Sequence, residues 1–60
     1  MSEKERELQY QQKKKEAKEY AIDHKVTVVV FRNPQGEAEF VEAGYAARVG
    51  ISGEFVSELQ

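Results

Sequence analysis

Residues 25–36 read Lys-Val-Thr-Val-Val-Val-Phe-Arg-Asn-Pro-Gln-Gly. The first eight are β-branched or aromatic almost throughout, which predicts a strand over 25–32. Both of its faces are apolar, with Val26, Val28 and Val30 on one and Val29 and Phe31 on the other. Such a strand needs cover on both sides. The four residues that follow predict a turn: Asn favours the first position, Pro presets the next φ, and Gly supplies the positive φ of a bulged hairpin. The return strand is expected over 37–42, Glu-Ala-Glu-Phe-Val-Glu. The expected register sets Ala38 and Phe40 beside Val29 and Phe31, and Val41 on the valine face.

Upstream, residues 2–23 predict a helix, because Glu, Lys, Gln, Ala and Arg dominate and neither Gly nor Pro intervenes. Ser2 with Glu5 fits a capping box. Tyr10, Ala17, Ala21 and His24 share one face with Tyr20 beside them, while Leu8 falls off the line. The docked part is expected from Tyr10 to Ile22, with residues 1–9 a frayed start. His24 is expected at a half-buried boundary. Two strands alone are unstable in water, so the second sheet face or the open edge needs the C-terminal segment or a second copy of the chain.

Composition narrows the function. Sixty residues make one small, marginally stable domain. There is no cysteine to staple it or to bind metal, and the single histidine has no fellow ligand. A net charge of -2 and a pI near 5.3 exclude a strongly basic nucleic-acid coat and a polyacidic DNA mimic. No apolar run is long enough to cross a membrane and no leader is visible, so the expected address is the cytoplasm. An enzyme is not expected. No phosphate loop, metal spacing or triad occurs, no cofactor is implied, and the chain is too short for a small-molecule pocket. Glu37, Glu39 and Glu42 read as an exposed strand face rather than as acid and base.

Residues 43–60 carry one resemblance. Ala46, Gly50, Ile51 and Ser52 stand where a helix-turn-helix places its small contact residue, its left-handed cap, its plug and its second N-cap. Val49, Val56 and Leu59 fall where that motif points inward, and Tyr45 takes the apolar position before Ala46. The segment thus resembles the helix-turn-helix of DNA-binding regulators. The expected fold is α+β: an N-terminal helix, a two-stranded antiparallel hairpin and a C-terminal helix-turn-helix. The resemblance implies a small, dimeric, sequence-specific DNA-binding regulator. Arg48, Ser52, Gly53, Glu54 and Ser57 would lie nearest the DNA, and Arg32, Lys13, Lys14 and Lys15 would supply charge to phosphates. A ribbon-helix-helix arrangement, with 26–32 as ribbon and helices over 37–49 and 52–59, is a second way to fold the same residues. The alternative function is a protein-binding inhibitor or adaptor, engaging a larger protein through its hairpin edge or its charged helix.

Overall fold

In the computed structural model, which describes residues 2–59, a long helix α1 (Glu3–His24) precedes strand β1 (Val28–Arg32). Strand β2 (Ala38–Glu42), a short helix α2 (Ala43–Val49) and strand β3 (Glu54–Val56) follow. The three strands form one antiparallel sheet in the order β2-β1-β3. The chain is therefore an α+β fold, with helix first and hairpin next.

The start of α1 follows its sequence. Ser2 is extended, and its hydroxyl accepts from the Glu5 N–H at 3.3 Å. Ala17 and Ala21 are fully buried, and their small side chains let α1 settle closely on the sheet. They meet Val28, Val30 and Val56, with Tyr10, Tyr20, Val26 and Phe40 packed around them. The exposed His24 departs from the expected half-buried position; its ring lies against Tyr20, 4.2 Å between centroids. The helix ends at Lys25, which takes a left-handed conformation (φ 54°, ψ 46°) and returns its N–H to the Ala21 carbonyl.

The hairpin closes as its sequence directs. Gly36 N–H donates to Asn33 O at 2.8 Å, and the Asn33 side-chain oxygen accepts from the N–H groups of Gln35 and Glu37. The register differs from the expected one. Val30 faces Phe40 and Arg32 faces Ala38, so Ala38 and Phe40 lie on the valine face under α1. Val41 instead faces Val29 on the far side. The bulge at Gly36 is present as expected, but the expected register did not count the residue that it adds. That residue falls in the return limb, and a one-residue shift moves every side chain to the opposite face.

The C-terminal third corrects the expected helix-turn-helix. Its first helix is present, and Gly50 caps it in the left-handed region (φ 77°) with its N–H on Ala46 O. Ile51 N–H bonds to the same carbonyl at 2.9 Å, and Ala46 is buried. Beyond that bend the described residues form no second helix. Residues 54–56 extend and pair with β1, setting Val28 opposite Val56 and Val29 opposite Phe55. Two features favour the strand. Val56 supplies the apolar group that completes the core, and Gly53 passes so close to β1 that a Cβ there would stand 2.2 Å from Val30 O. Val49 and Leu59, expected to point inward, are 51% and 92% exposed. The ribbon-helix-helix arrangement also fails, because 38–42 is a strand.

Helix α2 packs against β1 and β2, while α1 meets all three strands. Val29, on the face away from α1, is buried, with the return segment at Gly53 against its side chain. The C-terminal segment thus gives β1 both its second strand neighbour and its second cover. Because β1 is central, the sheet's open edges belong to β2 and to the much shorter β3.

Candidate functional site

The expected DNA-contact residues are scattered. Arg48 lies on α2 beside β2, whereas Lys14 and Lys15 border β3 at the opposite edge of the sheet. Glu54 is held by the Lys14 ammonium and the Tyr10 hydroxyl. Lys13 pairs with Glu16 at 3.3 Å. Arg32 lies over the Tyr10 ring, 5.1 Å from its centroid, and donates to Gly36 O. Ser52 and Gly53 sit in the return segment, and the Ser57 carbonyl accepts from Lys18 Nζ. Arg32, Ser52, Gly53 and Glu54 thus line one shallow groove, with Lys14 tied to Glu54, whereas Arg48 lies at the other edge of the sheet, so no single helix or face presents the whole set.

Chemistry gathers instead along β2. The Asn33 N–H donates to Glu37 O at 2.8 Å, and the Ala43 N–H donates to Thr27 O at 2.9 Å. These two pairs bracket the β1–β2 register. Hydrogen-bonded and non-hydrogen-bonded pairs alternate along an antiparallel ladder. Glu39 and Val41 therefore turn their peptide groups toward β1, and Ala38, Phe40 and Glu42 turn theirs outward. The Glu42 carbonyl begins α2 as its N-cap, so the outward groups at the edge are three N–H donors and the carbonyls of Ala38 and Phe40.

The Phe40–Glu42 end of this edge lines an open groove of about 580 Å3. Tyr20 and Phe40 wall it on the α1 side, their rings 5.6 Å apart. Val41, Gly44, Tyr45 and Arg48 wall it on the α2 side, where Tyr45 is 52% exposed. Gly44 carries no side chain into the space, and nothing lies within 4 Å of where its Cβ would be. The Tyr20 hydroxyl donates to Glu42 Oε2 at 3.1 Å, and this bond raises the tyrosine pKa above its ordinary value. Glu37, Glu39 and Glu42 are exposed and make the edge acidic.

An unpaired strand edge with apolar walls has one evident chemical capacity, which is to accept another extended backbone. Among the described residues no cluster of histidine, cysteine or carboxylate could hold a metal ion, and no helix is long and apolar enough to cross a membrane. The hairpin edge was expressed in the sequence, but not which strand would carry it. The valine-rich strand 28–32 becomes the centre of the sheet, and the glutamate-rich return strand becomes the edge. The alternation of Glu37 and Glu39 with Ala38 and Phe40 was the available signal, since charged residues are a common guard for an open edge.

No family model matches the chain, and neither curated proteins nor solved structures yield a significant match.

Proposed function

We propose that this chain is a small protein-interaction module that works by strand addition: the open edge of β2 receives an extended segment of another polypeptide. The observation that carries this reading is the outward phase of the Ala38, Phe40 and Glu42 peptide groups, with a groove at the Phe40–Glu42 end walled by Tyr20, Phe40, Val41 and Tyr45. Main-chain hydrogen bonds would supply affinity, and the aromatic walls would select alternate side chains. The exposed glutamates favour basic residues on the incoming strand, and they guard against indiscriminate pairing.

The test uses a blocked peptide of alternating lysine and valine, titrated into the 15N-labelled chain. The expected result is saturable shift changes at the Ala38, Phe40 and Glu42 amides and around Tyr45. The same peptide N-methylated at alternate positions should have no effect. Absence of any change at millimolar peptide, or changes centred on the lysines of α1, would overturn the reading.

A further inference from the structure

The occupant of the β2 edge can be named from the edge itself. We infer that it is the β2 strand of a second copy, paired antiparallel about a two-fold axis through Phe40, so that two three-stranded sheets become one continuous sheet. This rests on the strand-addition reading above and adds the identity of the partner.

The phase of the ladder is the first ground. Centred on Phe40, each copy's Phe40 N–H meets the Phe40 carbonyl of the other. At each end a Glu42 N–H meets an Ala38 carbonyl. Every available carbonyl on the edge is then used, and the Glu42 carbonyl stays with α2. The groups fit because a two-fold contact requires a surface to complement itself.

The second ground is the register that charge permits, for Glu37, Glu39 and Glu42 make both edges acidic and charge itself opposes the pairing. In this register Glu39 faces Val41 and Glu42 faces Ala38, so no carboxylate stands directly opposite another. Sliding the axis to Glu39 would set two glutamates face to face, which cross-strand pairing disfavours. The Phe40-centred arrangement is therefore singled out by side chains as well as by backbone.

The third ground is the modest core. The largest fully buried side chains are Val28, Val29 and Val30, while Phe40 is half-buried under Tyr20. A second Phe40 across the axis would cover the first on the face beneath the two Tyr20 rings. Cores of this size are commonly completed by oligomerisation.

Glu42 provides a substitution that separates edge from fold. Its φ is -66°, the value that proline fixes, and its N–H points away from β1. Proline is tolerated on an edge strand when its nitrogen faces outward. Glu42→Pro should therefore preserve the protomer while removing the terminal bonds of the pairing and placing a ring in its path. Glu42→Ala keeps the N–H and loses only the carboxylate.

The experiment is sedimentation velocity from about 1 µM to about 1 mM, with circular dichroism on each variant. The expected result is a reversible species of twice the 6.9 kDa chain mass for wild type and Glu42→Ala. It should strengthen with salt as the glutamates are screened. Glu42→Pro should be folded and monomeric across the range. In the wild-type dimer, a mixed-label sample should show an intermolecular Hα–Hα contact between Glu39 and Val41, the non-hydrogen-bonded pair flanking the axis. If Glu42→Pro does not fold, a synthetic chain N-methylated at Phe40 replaces it. A wild-type chain that stays monomeric to 1 mM, or a dimer that persists in the edge-blocked chain, would overturn the inference. A monomer that still takes the lysine–valine peptide at β2 would remove the second copy alone; one that ignores the peptide would remove strand addition with it.

Discussion

The Tyr10 hydroxyl donates to Glu54 Oε1 across 3.0 Å, joining α1 to β3 over 44 residues of sequence. Lys14, one turn further along α1, pairs with Glu54 Oε2. Together they clip the shortest strand of the sheet to the longest helix. Hydrogen bonds from Lys14 and then Tyr10 hold the Glu54 carboxyl below its ordinary pKa. The bond to Glu54 raises that of Lys14. Tyr10 is raised too, first by burial and then by Glu54.

The signs give a pH window for β3. A depressed carboxyl stabilises the fold above its unfolded pKa, and this is lost as pH falls through the folded value. Raised Lys14 and Tyr10 stabilise below their unfolded values, and this is lost as pH rises through the folded ones. The clip should hold between roughly pH 5 and 10. The protection factors of the Glu54 and Val56 amides, which face β1, should fall as pH drops through the depressed Glu54 value, before the β1–β2 hairpin opens. Glu54→Gln should remove that acid dependence. An unchanged acid response in Glu54→Gln would show that the clip does not secure the strand.

Gly53→Ala should detach β3. The added Cβ would meet the Val30 carbonyl and the Val29 side chain, both fixed parts of the central strand. Overpacking of this kind costs about 1–3 kcal/mol, readable as a lower urea midpoint and lost protection at Val56. Wild-type stability would contradict the close approach.

Lys25→Gly should stabilise the protein. Lys25 is the one non-glycine residue with positive φ among those described. Relief of its left-handed strain exceeds the extra chain entropy of glycine by about 0.5–1 kcal/mol. Thermal unfolding should shift upward by a few degrees; a downward shift would mean that the lysine side chain contributes more than its backbone costs.

Ala21→Leu should lift α1 from the sheet. Ala21 is fully buried against the valine face, and a larger group there is expected to cost about 1–3 kcal/mol. Leu8→Ala, at a position 63% exposed, should leave stability within about 0.5 kcal/mol of wild type. The contrast, measured by urea unfolding, checks which stripe of α1 is docked.

Local chemistry was legible in the sequence where local chemistry decides. Ser2 caps α1, Asn33-Pro34-Gln35-Gly36 turns the hairpin, and Gly50 bends left-handed, each through groups within a few residues. The facing of β2 was missed although its cause was legible: the Gly36 bulge adds one residue to the return limb, the expected register left that residue out, and both facings bury apolar groups. Residues 54–56 were the hardest. Their conformation is set by the free edge of a strand more than twenty residues upstream, and by room that only the missing side chain of Gly53 leaves. The groove inherits both difficulties: it exists because β3 takes one side of β1 and leaves β2 outermost.

Residue-resolved amide exchange along 38–43, followed against chain concentration, tests strand addition at β2 most directly. The inward amides of Glu39, Val41 and Ala43 should be protected at every concentration. Those of Ala38, Phe40 and Glu42 should exchange freely when dilute, and those of Phe40 and Glu42 should gain protection together as a second β2 docks, while Ala38 faces a Glu42 carbonyl already engaged in α2. If the outward three remain unprotected both at high concentration and with the lysine–valine peptide present, the edge of β2 is not a binding surface.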